Sequence, residues 1–165
     1  MNDNNELIDV GDFWEIINSC DFDLIIKPSN TDNGEGISKL VVNKGEIFVN
    51  DKPISYKGLL DRFGENFIIQ KLIKQHETMA APHPTSVNTL RMVTFRWKGN
   101  IHHLLTYAKF GVGYDIRDNS KADGIRNGVR VGIKPNGEFF DYAVGRTGEV
   151  FDKHPTTNYE FSKLD

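Results

Sequence analysis

Lys27 closes a short apolar run, Leu24-Ile25-Ile26, and the polar stretch after it carries Gly34 and Gly36. A lysine at the end of a strand is a cation fixed at the rim of a sheet. The glycines let the next stretch of backbone approach a ligand closely and present its N–H groups. A cation beside bare amides is what a polyphosphate needs. The order is informative. In the G-x-x-x-x-G-K-[ST] loop and in protein kinases the glycines come first; here the lysine does. Taken alone, the stretch reads equally well as a strand ending in an ordinary polar turn.

Three further groups of residues bear on the same chemistry. Residues 67–76, FIIQKLIKQH, form an apolar strand and a short connector. Their backbone near Gln70 and Leu72 can meet the edge of a flat heterocycle, and Gln70 or Gln75 can bond a sugar hydroxyl. A plain core strand is the competing reading. Residues 86–91, SVNTLR, place four hydrogen-bonding side chains, Asn88 among them, at the start of a long strand. Arg91 is a permanent cation suited to a terminal phosphate or a carboxylate; the alternative is a strand cap and a surface arginine. Lys109 leaves the next strand, and Asp118-Asn119 follow in a loop that could organise phosphate and a hard cation, or be a solvated turn. His102 and His103 are adjacent in a strand, so their side chains point to opposite faces and cannot share a metal.

The elements that must position these groups follow from periodicity and punctuation. Residues 9–19 predict an amphipathic helix capped at Asp9 or Asp12. Strands are expected over residues 23–27, 37–42 and 46–49, the last two joined by Asn43-Lys44-Gly45. Residues 50–53 read as a loop, 55–63 as a helix capped by Ser55, and 66–73 as a strand. Pro82 and Pro84 restrict residues 76–88 to short helical turns. Strands 90–97 and 101–110 form a hairpin around Lys98-Gly99-Asn100. Residues 111–128 read as loop, and strands 129–133 and 138–142 as a last hairpin around Pro135-Asn136-Gly137. The tail from Gly145 onward is polar and lacks periodicity. The fold class expected is α+β: two small lobes of antiparallel strands with a few helices, spanning residues 1–68 and 69–165.

Composition excludes several classes. The chain has 165 residues and a net charge of −3, which argues against nucleic-acid binding. Cys20 is the only cysteine, so no intrachain disulfide and no cysteine-cluster metal site can form. The polar, acidic start, Met1-Asn2-Asp3-Asn4-Asn5-Glu6, is unlike a signal peptide, and no apolar run approaches membrane-spanning length. A soluble cytoplasmic protein is expected; the oligomeric state is not readable.

In this order, strand-lysine with a glycine loop, hairpin, helix, second apolar strand, Asn88-Thr89-x-Arg91 and a long ribbon resemble the ATP-grasp fold. Residues 86–91, with Asp118-Asn119 and Gly124-Ile125 after them, resemble its sugar-transfer-associated branch, found with bacterial capsule and exopolysaccharide genes. The likeness covers roughly residues 20–145. It implies ATP and Mg²⁺, with ATP between two α+β lobes. Lys27 would touch the α- or β-phosphate, and the Gly34/Gly36 loop would cover the phosphates. Residues from Gln70 through Leu72 to Ile73 would receive adenine. Arg91 and Lys109 would be the catalytic cations on the γ-phosphate side, with Asn88 and Asn119 as further nucleotide contacts and Asp118 as the metal candidate. The implied substrates are a nucleotide and a small carboxylate or sugar-linked molecule. The implied reaction is carboxylate activation in an ATP-dependent ligase; a non-catalytic nucleotide- or carbohydrate-binding module is the alternative. The chain departs from the family pattern at Lys71, Lys109 and Asp123, and it lacks a late Glu-x-Asn metal element. The resemblance therefore implies a core incomplete at its C-terminal end.

Overall fold

The computed structural model describes residues 9–31, 34–122 and 124–165. Asp123 and the polar start of the chain, both singled out above, lie outside the described residues, as do Asp32 and Asn33 of the glycine-bearing loop. The chain divides into two compact units, Met1–Leu72 and Ile73–Asp165. Each is built on its own five-stranded sheet, as an α+β reading requires.

The first unit begins with α1, Val10–Ser19, whose N-cap is Asp9; the Asp9 carboxylate accepts from the Asp12 N–H at 2.9 Å. The strands are β1 (Leu24–Pro28), β2 (Ser38–Asn43), β3 (Glu46–Val49), β4 (Lys52–Ile54) and β5 (Phe67–Lys71). They lie in the order β4-β3-β2-β1-β5, all antiparallel. Helix α2, Tyr56–Phe63, is capped by Ser55 as expected. Alternation sends Leu24, Ile26, Leu40, Ile47 and Val49 to one face, where Ile17, Leu59 and Phe63 close the core. Lys27 therefore belongs to the opposite face.

Residues 50–53 are not a loop. Asn50 (φ 50) and Asp51 (φ 63) form a two-residue turn that pairs Val49 with Lys52 and starts β4. Asn and Asp tolerate positive φ, and Pro53 is accommodated because β4 is an edge strand. Lys44-Gly45 and Lys98-Gly99 make the same kind of turn, with both φ values positive.

The second unit opens with a single helical turn, α3 (Glu77–Ala80), capped by the His76 imidazole. Its main strands are β6 (Thr89–Trp97) and β7 (Asn100–Phe110), followed by a small ribbon of β8 (Lys121–Ala122) and β9 (Ile125–Arg126) inside what reads as loop. Then come β10 (Val129–Ile133), β11 (Ala143–Val144) and β12 (Val150–Phe151), giving the order β12-β11-β10-β7-β6. The last hairpin differs from expectation. Residues 138–142 make a single bridge, Phe139 to Ile133, and regular pairing with β10 occurs where Arg130 meets Val144. The Phe140 ring occupies the space above Gly132, so the returning chain cannot lie flat there: a Cβ on Gly132 would meet that ring at 2.9 Å.

The core of this unit is Ala108, Phe110, Val112, Val129, Val131 and Ala143, completed by Phe161 and Leu164. The aperiodic tail thus supplies core. Its contributions are isolated side chains around a short 3-10 helix, Phe161–Lys163, and no repeat in the sequence announces them. Among the described residues no helix is long and apolar enough to cross a membrane.

Two glycines separate conformation from packing. Gly45 (φ 82) has open space where a Cβ would stand, whereas at Gly36 (φ 77) a Cβ would meet Pro28 Cγ at 2.8 Å and Cδ at 2.9 Å. Gly45→Ala should cost about 1 kcal/mol of backbone strain. Gly36→Ala should cost roughly twice that or more, because a rigid proline ring must also shift. Urea unfolding of the two variants checks the difference; equal costs would remove the packing argument.

Candidate functional site

In the second unit, the alternation that buries Ala108, Phe110, Val129 and Val131 turns Lys109 and Arg130 to the other face of the sheet. Register aligns them: Thr89 pairs with Lys109 and Lys109 with Arg130, while Arg91 pairs with Tyr107 one step along the same face. Three cations from three adjacent strands therefore share one surface.

Asp118 is the carboxylate placed against them. Thr89 Oγ1 donates to its Oδ2 at 2.6 Å, Lys109 Nζ lies 3.9 Å from Oδ1, and Arg91 Nη2 lies 3.9 Å from Oδ2. Lys109 Nζ also donates to Asn119 Oδ1. Lys109 is 3% exposed and Asp118 8%. Burial lowers the Lys109 pKa below the usual lysine value; Asp118 opposes the shift, and the Arg91 and Arg130 charges add to it. Three positive charges face one negative charge, so the cluster favours a multivalent anion.

Glycine and hydroxyl contacts hold the Asp118 loop down. Gly111 lets the loop close over it, since a Cβ there would meet Arg117 O at 2.5 Å and Ser86 Oγ at 2.7 Å. At Gly128 (φ 62) a Cβ would meet Asp118 O at 2.5 Å. Ser120 Oγ accepts from Val112 N–H at 2.6 Å. Asn88 is buried, and its amide nitrogen donates to Met79 O (2.7 Å) and His83 O (2.9 Å) while its oxygen accepts from Gly111 N–H and from Ser86. In this structure the Asn88 side chain ties the start of β6 to the loop.

Beneath the loop, His83 and His154 stack with ring centroids 5.0 Å apart. His154 Nε2–H donates to Gly111 O at 2.7 Å, and its Nδ1 accepts from the Thr156 and Thr157 N–H groups, which fixes the neutral ring. Burial lowers both histidine pKa values, that of His154 from 6.5 to about 4; the Gly111 bond resists the His154 shift and the His83 charge assists it.

In the first unit, Lys27 pairs with Ile68 and Ile25 with Gln70, so Lys27 and Gln70 are diagonal neighbours on the face away from the core. Gly34 (φ 74) and Gly36 (φ 77) both adopt the conformation that favours glycine. Leu72 N–H donates to Asp23 O at 2.8 Å, extending the pairing of β5 with β1 by one residue. Gln75 Oε1 accepts from Asn88 N–H, and its Nε2 is buried without a hydrogen-bond partner among the described residues. His103 bonds Thr106 and His102 stacks on Phe95, each apart from the other. Within the units, the structure thus brings together Lys27 with Gln70, and Arg91 with Lys109, Asp118 and Asn119.

Arg130 is the member that the motifs did not single out. Its signal was present: one arginine between Val129 and Val131, in a strand whose neighbours face a core. What was missing was the knowledge that this strand pairs with the one carrying Lys109.

A family model described as sugar-transfer associated ATP-grasp matches residues 2–165. The chain belongs to the sugar-transfer-associated ATP-grasp family. Comparison with curated proteins gives no match, and comparison with solved structures gives none either.

The fold family implies Mg²⁺, and among the described residues the donors of this cluster do not fit it. Mg²⁺ is commonly held by one or two carboxylates together with phosphate oxygens. Here the carboxylate of the cluster, Asp118, already bonds Thr89 and faces Arg91 and Lys109. A dication on it would sit among fixed cations. Among the described residues no group of three His, Cys, Asp or Glu side chains could hold a metal ion.

The buried histidines make stability acid-sensitive. Their folded pKa values are depressed, so as pH falls below 6.5 the unfolded chain binds protons that the native rings refuse. Stability of the second unit should drop between pH 6.5 and about 4, with His154 accounting for at most about 3 kcal/mol. His154→Gln should be less stable at neutral pH and should flatten this limb. Denaturant unfolding across that range, wild type against variant, checks it; parallel pH profiles would refute the assignment.

Proposed function

We propose that the chain binds ATP and serves as the nucleotide-binding core of a carboxylate-activating ligase in bacterial capsule or exopolysaccharide synthesis. The observation that carries this reading is the aligned row Thr89–Lys109–Arg130 with Arg91, Asp118 and Asn119 around it. In the reaction, a substrate carboxylate oxygen attacks the γ-phosphorus, ADP leaves, and a nucleophile then displaces phosphate from the acyl phosphate. Such chemistry rests mainly on positioning and on neutralising negative charge. Arg91 and Lys109 are the proposed catalytic cations at the γ-phosphate. Asn119 holds the Lys109 ammonium, and Asn88 supports the loop that carries Asp118 and Asn119.

In the first unit, Lys27 is the proposed contact to the α- or β-phosphate and the Gly34/Gly36 stretch the phosphate cover. Gln70 and Leu72 lie on the strand proposed for adenine. In the second unit, Gln75 Nε2, without a hydrogen-bond partner among the described residues, is a donor suited to a ribose hydroxyl. A small carboxylate or sugar-linked molecule is the proposed second substrate, and a cytoplasmic setting suits ATP use. A second reading, a nucleotide- or carbohydrate-binding module without ligase activity, is favoured by the lone carboxylate in the cluster.

Calorimetric titration with Mg·ATP tests the proposal. Wild type should bind, and Lys109→Ala should weaken binding on the order of tenfold, the loss of one charge-assisted contact; Lys27→Ala should weaken it as well. Because the Lys109 pKa is lowered, affinity should start to fall with rising pH sooner than an ordinary lysine would allow. No binding by wild type, with Mg²⁺ or without it, would remove the nucleotide reading. Binding without ADP release in the presence of candidate carboxylates and amines would favour the second reading.

A further inference from the structure

The charges around Asp118 point to how the phosphate chain is neutralised. Arg91, Lys109 and Arg130 come from three neighbouring hydrogen-bonded strands: Lys109 and Arg130 are directly paired, about one strand spacing or 5 Å apart, and Arg91 is the diagonal neighbour of Lys109 on the other side, about 7–8 Å away. Asp118 balances one of these charges, and its two oxygens are taken up by Thr89, Arg91 and Lys109. Lys109 is pinned by Asn119 and has a side chain 4% exposed, so it cannot swing out to solvent. The like charges of Arg91 and Arg130 disfavour its protonated form. An incoming anion relieves that repulsion; an incoming dication increases it.

We propose that the second unit takes the triphosphate as the free anion, neutralised by Arg91, Lys109 and Arg130, rather than as its magnesium complex. The inference rests on the nucleotide reading above and adds two things to it: Arg130 as a phosphate-binding residue, and a preference for the uncomplexed polyphosphate. Chelation to Mg²⁺ removes two of the negative charges that this face attracts, and among the described residues the cluster offers no uncommitted carboxylate to compensate. Asp118 acts here as an internal counter-ion that keeps the empty cluster from repelling itself.

The 165-residue chain is titrated with ATP in excess EDTA and, separately, in excess Mg²⁺, with inorganic tripolyphosphate as a competitor lacking base and sugar. Free ATP should bind more tightly than the magnesium complex, and tripolyphosphate should displace it. Arg130→Gln should weaken free-ATP binding on the order of tenfold, and Arg130→Lys should recover most of it. Equal or tighter binding with Mg²⁺, or free-ATP binding unaffected by Arg130→Gln, overturns the inference and leaves the nucleotide reading standing. No binding under either condition overturns both. Circular dichroism confirms that each variant is folded. Where Arg130→Gln fails to fold, the EDTA comparison and Arg130→Lys decide the matter on their own.

Discussion

A lysine with almost no access to water is the constraint around which the second unit is arranged. Burying an ammonium is costly unless hydrogen bonds and an opposite charge replace its hydration. Asn119 and Asp118 do this for Lys109, but both sit on a loop, and a loop carboxylate compensates a buried charge only if the loop is immobile. The glycines at 111 and 128, the Ser120 hydroxyl and the Asn88 amide all serve that immobility. The stacked histidines extend it downward, since His154 grips the Gly111 carbonyl from beneath. Much of the polar interior of this unit is therefore engaged in keeping one ion pair in place.

The two units handle their open sheet faces differently. In the first, α1 and α2 cover one face, and Lys27 and Gln70 mark the other. In the second, the core face is closed by Phe161 and Leu164 from the tail, while the opposite face carries the cations. Each unit thus devotes one face to its core and carries cationic side chains on the other, which strand alternation permits without any special motif.

What could be read in advance was what residue type alone dictates. Asp9 or Asp12 and Ser55 announce helix starts, Asn43-Lys44-Gly45 and Lys98-Gly99-Asn100 announce turns, and lysine and arginine at strand ends announce candidate cations. What could not be read depended on partners distant in sequence. Arg130 becomes meaningful only beside Lys109, a matter of strand pairing rather than of spacing. The partners that the Asn88 side chain engages in this structure, Met79, His83, Gly111 and Ser86, are likewise set by the fold and not by its motif. Residues 50–53 looked like loop because Pro53 is rare in strands, and the edge position that tolerates it is a property of the sheet. The tail looked idle because its anchoring side chains, His154, Phe161 and Leu164, follow neither a period of two nor one of 3.6.

The tail's grip on the loop also sets an order of assembly. His154 reaches Gly111 across 43 residues, and the Thr157 hydroxyl reaches the Pro82 carbonyl across 75. Contacts of such long sequence separation form late, because the intervening chain must first be closed into loops. On the ribosome, the β6–β7 hairpin can pair as soon as it emerges, and Ser120, Asn88 and Thr89 can engage the loop bearing Asp118 soon after. The grip of His154 and Thr157 must wait until residues 154–157 have been made, so the row of charges can form before its support from beneath is complete.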